Sequence, residues 1–489
     1  MSSDGSPPLS GRLARNSIWN LVGLGLPLVV AVVAIPRLVE LLGTERFGLL
    51  AIGWAFIGYF SLFDLGLGRA LTKLVAERIA TGDADDLPEL IGTGLVLLTA
   101  LGVLASVAVL VAVPMLIESV LVVPISLRNE AKVGFSLLAY GLPVVMLSAA
   151  LVGVLEGQQR FRTINLVRIP AGVLTYLGPL LAVLAVPGLV SATLALVIVR
   201  IVSAVVYAWC ARGMLPRGGA LLNRALIRPL LTFGGWVTVS NVVGPLMVYF
   251  DRFVIGAQLS LSAVAYYATP YEVITRAFIL PAAVTAVIFP EMTMASVADP
   301  GRLDRLFRRT VEVVLALMTV PLALVVLFAP EGLELWLGRE WAEQSTAVLR
   351  WLAVGVLISS VARVPFTLIQ GAGRPDLTAK LHVAELPAYL LGLAVLLGAF
   401  GITGAAAAWT LRNLIDMALL FWLGVRVAPA ISGATRRAVV ATMGATLLLG
   451  VAVIPVDSVW KIGYAGLLVA LGALLALRAG RLLPRIVPG

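Results

Sequence analysis

The chain is nearly without cysteine and histidine, with one of each, Cys210 and His382, among 489 residues. One cysteine cannot close an intramolecular disulfide, and the two residues together cannot build a Cys/His metal cluster. A lone histidine also argues against a Ser-His-Asp arrangement, and no glycine-rich Walker A loop or strand-linked dinucleotide fingerprint is present. Nucleotide-driven transport by this chain alone is therefore not expected. Charge is scarce too. Asp, Glu, Lys and Arg make up 13% of the sequence, about half of what covers a soluble surface.

What fills the chain instead is apolar residues, 60% of the total, with a mean hydropathy of +1.02. Apolar runs of about 20 residues recur throughout, each long enough to cross a ~30 Å hydrocarbon core as a helix. The expected fold is an all-α polytopic membrane protein with about fourteen transmembrane helices. The segments are 17–40, 47–68, 89–113, 131–155, 164–187, 188–210, 230–250, 262–290, 310–330, 346–370, 380–400, 401–424, 436–455 and 459–478. Pro187-Gly188 and Gly401 divide two of the longest apolar runs and mark tight turns. The first apolar run exceeds a signal-peptide core, so it is expected to be retained.

The net charge of +10 follows from topology. With the N-terminus in the cytoplasm, 24 of the 36 Lys and Arg residues fall in the tails and the cytoplasmic loops, and six fall on the opposite side. Cationic loops stay on the side of synthesis, so both termini are expected in the cytoplasm. This removes the reason to invoke a nucleic-acid partner. Six arginines remain within or at the ends of spans: Arg37, Arg200, Arg252, Arg276, Arg363 and Arg412. Ionisable residues in such places are functional candidates.

A weak internal duplication organises several of them. Trp19 matches Trp236, Pro27 matches Pro245 and Arg37 matches Arg252, at offsets of 215–218; Gly157 and Arg160 match Gly371 and Arg374 at 214. Gly188 and Arg200 match Gly401 and Arg412 at 213 and 212. A repeat of six spans puts both copies in the same direction across the membrane, related by a pseudo-two-fold axis along the membrane normal. The expected organisation is an N-terminal tail 1–16, an N-lobe 17–210, a cytoplasmic linker 211–229 and a C-lobe 230–425. Two further helices at 436–478 and a cytoplasmic tail 479–489 follow. A central cavity would open alternately to each side.

Arg276 falls about 14 residues into its span, near mid-depth at ~1.5 Å per residue, with Glu272 one turn earlier on the same face. Arg200 and Arg412 are also near mid-depth, and Arg363 lies in the inner half of its span. Arg37 and Arg252, the latter beside Asp251, fall near span ends, where interface anchoring, a structural ion pair and a cavity role all remain open. The candidate cavity residues are thus Arg276, Glu272, Arg200, Arg412, Arg363, Arg37, Arg252 and Asp251. Asp64, Glu385 and Asp416 read as structural.

The stretches "NSIWNLVG" (16–23), "LGTERFGLLA" (42–51), "FDLGLGRAL" (63–71), "YFDRFVIGAQLSLSAVAYYATPYEV" (249–273) and "LIQGAGRPDL" (368–377) resemble one family. It is the polysaccharide transporter, or O-antigen flippase, branch of the multidrug/oligosaccharidyl-lipid/polysaccharide exporter superfamily. The resemblance covers roughly residues 10–425. It implies fourteen helices in two six-helix lobes. It also implies movement of a lipid-linked oligosaccharide, of undecaprenyl pyrophosphate type, from the cytoplasmic to the periplasmic leaflet. No bond is made or broken, so neither a catalytic residue nor a cofactor is needed. A polysaccharide polymerase and a chain-length regulator are the implied protein partners, and bacterial inner-membrane lipid the surroundings. The lipid II flippase branch carries an Arg-Gly-Arg-Asp pattern in its first helix, whereas the first span here has no basic residue from Asn16 through Pro36. An ion-coupled multidrug/cation antiporter is the alternative; that branch generally places a buried carboxylate in its first helix or the core of its second lobe, and here the first span has none before Glu40 and the seventh none before Asp251.

Overall fold

The computed structural model describes residues 9–62, 64, 66–81, 86–215, 222–454 and 458–482, without the side chains of residues 9–25, 61–62, 80, 232–246, 290, 297–298, 458 and 475–482. Residues 1–8 of the expected tail, 216–221 of the linker, 483–489 of the C-terminal tail and the side chains of Trp19, Trp236 and Pro245 lie outside the described residues. Fifteen α-helices and no strand occur among those described. In chain order they are α1 (Leu9–Leu62), α2 (Leu67–Thr81), α3 (Leu87–Met115), α4 (Ile125–Gly157), α5 (Phe161–Ala185), α6 (Leu189–Ala211), α7 (Arg224–Gln258) and α8 (Leu261–Thr275). They continue with α9 (Ile279–Ala298), α10 (Pro300–Leu327), α11 (Ala329–Leu337), α12 (Arg339–Gly371), α13 (Pro375–Val427), α14 (Ser432–Val451) and α15 (Ser458–Leu482).

Among the described residues nine helices are long and apolar enough to cross a membrane. Helices are what a bilayer permits, because each satisfies its own backbone hydrogen bonds where no water can. Large apolar side chains such as Leu104, Val111, Leu391 and Leu447 point outward, as they must when the solvent is lipid. The chain is a multi-pass membrane protein.

The expected segments lie largely on helices, and Gly188 and Gly401 divide the chain as expected. Gly43 (φ 73°) breaks α1, Gly188 (φ 146°) separates α5 from α6, and Gly401 (φ 59°) breaks α13. A positive φ strains any residue with a Cβ, so glycine is the residue that turns the chain here. The turn at Gly401 is tight. A Cβ on Gly404 would lie 1.8 Å from the carbonyl oxygen of Leu396.

Other details depart from the expected segments. The segment 47–68 is not one helix: it stops at Leu62 and restarts at Leu67. Asp64 accepts hydrogen bonds from the amides of Gly66 (2.9 Å) and Gly68 (3.0 Å), an Asx-type arrangement that competes with helix continuation. The segment 262–290 is interrupted by a 3₁₀ turn at Arg276–Phe278, and the short helix α11 precedes α12.

By its internal contacts the chain divides within α8 into two compact units, residues 22–268 and a second comprising mainly 269–489. In the first unit α4 packs against α2, α3 and α6, around Leu71, Leu90, Ile91, Met146, Ala150 and Val154. Glu130 of α4 accepts from the Arg46 side chain (2.8 Å) and from the backbone amide of Leu189 at the start of α6. In the second unit α12 is the central helix, with 78% of its most apolar stretch buried, against α9, α10, α11 and α13.

Candidate functional site

The first unit holds a half-open cavity of about 390 Å³ between α2, α4, α5 and α6. Gly153 lets α4 lie against α2: a Cβ there would meet the carbonyl oxygen of Gly68 at 2.7 Å. Three arginines line the cavity, Arg69 of α2, Arg168 of α5 and Arg200 of α6, with the carboxylates Asp64 and Glu156 and the phenol of Tyr207. Asp64 is occupied by its two amides, and Glu156 lies 3.9 Å from Arg168. The side chains of Arg69 and Arg200 make no hydrogen bond or ion pair with a described residue. The hydroxyls of Ser148, Thr175 and Ser203 each donate to the carbonyl one turn back on their own helix, at 2.7–2.8 Å. Three guanidiniums against two carboxylates leave the lining with one net positive charge, and Arg69 and Arg200 are tied to neither carboxylate, so both can turn to an anion.

The second unit holds a different constellation on the two halves of α13. Arg412 lies 3.7 Å from Glu385, and Asp416 lies 3.6 Å from His382. The Glu385 and Asp416 side chains are 6% and 9% exposed. Neither oxygen of Glu385, nor Oδ1 of Asp416, nor Nε of Arg412 has a hydrogen-bond partner. The imidazole stacks on Phe366 of α12, with ring centroids 6.1 Å apart and planes at 10°.

The remaining candidates fall elsewhere. Arg276 and Glu272 form the expected one-turn pair at 3.3 Å, half-exposed. Arg363 is exposed on α12. Arg37 pairs with Glu40 at 2.7 Å on an open surface, the two side chains 68% and 65% exposed. Its repeat partner is in another environment: Arg252 and Asp251 are fully buried. Tyr267 donates to Asp251 at 2.6 Å, and Arg252 donates to the carbonyl of Val248 at 3.0 Å and lies over Tyr249. Of the eight candidates, only Arg200 lines the 390 Å³ cavity. Its neighbours Arg69 and Arg168 went unrecognised because the topology count absorbs them. Their position at helix ends is the signal that hides them, and only the packing of four helices gathers them. Near the loop end of the second unit, Arg374 is bound bidentately by Asp376 (3.0 and 3.2 Å), whose hydrogen bonds raise the guanidinium above its ordinary value.

Fold and site together define a helical membrane transporter. Solved structures with this fold include an inward-facing multidrug resistance MATE family transporter of the MOP superfamily. It has a TM-score of 0.70 and 18% identity, over 84% of this chain and 98% of that one. Another is a MOP superfamily transporter from Pyrococcus furiosus, with a TM-score of 0.56 and 16% identity, over 86% and 96% of the two chains. A family described as "Polysaccharide biosynthesis protein" matches residues 13–296. A Shigella flexneri protein named "Putative O-antigen transporter" is 30% identical over 425 residues, 85% of this chain and 98% of that one. A Haloferax volcanii protein named "Probable low-salt glycan biosynthesis flippase Agl15" is 24% identical over 83% of this chain and 82% of its own length. The chain belongs to this polysaccharide biosynthesis family of membrane transporters.

Proposed function

We propose that the protein is a flippase carrying a lipid-linked oligosaccharide, of undecaprenyl pyrophosphate type, from the cytoplasmic to the outer leaflet. It crosses the bacterial inner membrane fourteen times with both termini in the cytoplasm. Its two six-helix lobes, 17–210 and 230–425, work by alternating access. The relatives' printed roles in O-antigen transport and glycan flipping support the cargo class. The cationic cavity of α2, α4, α5 and α6 carries the reading within this chain.

The chemistry fits the cargo. A pyrophosphate offers several anionic oxygens, and guanidinium forks bind such oxygens bidentately. Arg69 and Arg200 supply two guanidiniums outside any ion pair and Arg168, loosely held by Glu156, a third, against the two carboxylates of Asp64 and Glu156. In the proposed topology Arg69 and Arg168 lie near the cytoplasmic side, where the loaded carrier lipid is made, and Arg200 near mid-depth. The lipid tail stays in the bilayer while the head group enters the polar space. A polymerase and a chain-length regulator take the product on the far side.

The test uses a strain deleted for this gene and complemented with variants. Arg69→Ala and Arg200→Ala, expressed at the wild-type level, lower surface polysaccharide at least tenfold. Unflipped lipid-linked sugar then accumulates in the cytoplasmic leaflet. Full surface polysaccharide in the deletion strain itself, with a drug-sensitive phenotype instead, overturns the flippase in favour of a multidrug antiporter.

A further inference from the structure

The four ionisable groups on α13 sit where no anionic cargo is needed to explain them. His382 and Glu385 stand one turn apart before the Gly401 turn, and Arg412 and Asp416 one turn apart after it. They close on each other in cross-pairs of 3.6 and 3.7 Å. Their charges do not cancel. With both carboxylates ionised and the imidazole neutral, one guanidinium faces two anions, and a buried negative charge is left over. Two carboxylates that share a site cannot both ionise freely in a poorly solvated space. One bound proton makes the cluster neutral.

The hydrogen-bond inventory makes the same point independently. Glu385 is nine-tenths buried, yet neither of its oxygens accepts a hydrogen bond, and Oδ1 of Asp416 is also without one. Buried polar atoms of this kind are expected to be satisfied. A proton on either carboxyl group creates a donor among these unfilled acceptors. The charged and titratable groups facing Glu385 are Asp416, Arg412 and His382, with Tyr389 one turn further along the helix. From α12, Phe366 covers the imidazole, and Arg363 is exposed. Exposure rises from 6% at Glu385 and 9% at Asp416 to 26% at His382, so the imidazole is the most accessible of the three.

We propose that His382, Glu385, Arg412 and Asp416 form a proton-binding site that couples the transport cycle to a proton gradient. The site takes one proton from water through His382 and shares it between Glu385 and Asp416. The protonated cluster is neutral and can be occluded; the deprotonated cluster carries a net charge and must face water to form or discharge. Protonation also weakens the Glu385–Arg412 attraction, which links the two halves of α13. The coupling half of this proposal rests on the transporter reading above, whereas proton binding does not.

The test is a pH titration of the purified full-length protein in lipid nanodiscs, followed by infrared difference spectroscopy. The expected result is a protonated-carboxyl band that disappears in a one-proton step as pH rises. Glu385→Gln and Asp416→Asn each abolish it or move its midpoint by about one pH unit or more. His382→Asn moves the midpoint without abolishing the band. All three substitutions are near-isosteric, and size-exclusion profiles identify any variant that fails to fold. A wild-type protein without the band, or a band unchanged in both carboxylate variants, overturns the site. If the band titrates as described but export of surface polysaccharide survives collapse of the proton gradient, the coupling is wrong and the flippase stands. If deletion of the gene leaves export intact while the band titrates, the flippase is wrong and the proton site stands.

Discussion

The buried pair Asp251–Arg252 allows a quantitative test of whether an intramembrane charge is there for stability. Arg252 and Asp251 are 1% and 0% exposed. They are neighbours in sequence with a 3.5 Å charge contact, and the stronger bonds go elsewhere, to Tyr267 and Val248. Replacing Arg252 with Met leaves a buried carboxylate without its cation, a loss of about 3–5 kcal/mol. Asp251→Asn strands the guanidinium at a similar cost. Tyr267→Phe removes one hydroxyl donor to a carboxylate, about 1–2 kcal/mol in a membrane interior. The informative variant is the double substitution Asp251→Asn with Arg252→Met. It removes both charges together, and it is expected to be more stable than either single variant by at least 1 kcal/mol, roughly a fivefold change in the folding equilibrium. Equilibrium unfolding in mixed micelles measures this, with Tyr267→Phe as the mild reference. A double variant no more stable than the worse single one refutes the ion-pair reasoning. So does an Arg252→Met protein as stable as the wild type.

Three further outcomes are expected. Gly153→Leu forces α4 away from the Gly68 carbonyl; overpacking of this kind costs about 1–3 kcal/mol, read as lower protein yield and a lower midpoint of thermal unfolding. Arg276→Ala breaks a half-exposed one-turn pair worth about 0.5 kcal/mol or less. Stability should stay unchanged and export should fall, and normal surface polysaccharide at a normal protein level removes Arg276 from the pathway. A single cysteine at exposed Gly301, in a Cys210→Ser background, should react with a membrane-impermeant thiol reagent only after the cells are opened; labelling of intact cells reverses the orientation.

The parts of this molecule legible in the sequence are those set by local chemistry. Gly188 and Gly401 turn the chain because a positive φ belongs to glycine, and the Glu272–Arg276 pair follows from helical spacing alone. The repeat aligns Arg37 with Arg252, but alignment carries no information about surroundings. Tyr267 reaches Asp251 from the next helix, 16 residues on, and this contact separates a buried pair from the exposed Arg37–Glu40 pair. Asp64 is an ordinary acidic residue in the sequence, and its two amide bonds, which end one helix and begin another, appear only with the backbone in place. Arg69, Arg168 and Arg200 lie on three helices more than thirty residues apart in places, so no periodicity connects them. Glu385 and Asp416 read as structural for a similar reason, since their approach to His382 and Arg412 depends on how far α13 folds back at Gly401.

The hydroxyls of the first-unit cavity have one more implication. Ser148, Thr175 and Ser203 have each committed their single proton to their own helix, so towards the open space they can offer only lone pairs. The lining is therefore divided by polarity of hydrogen bonding. Arginines and a phenol can give protons, and the hydroxyl oxygens can only receive them. A guest that is anionic at one end and rich in its own O–H groups at the other finds a counterpart at both. A bare hydrocarbon cation meets three guanidiniums against two carboxylates and has no proton to give the hydroxyl oxygens. The helix backbone fixes the direction of these three small hydroxyls before any guest arrives.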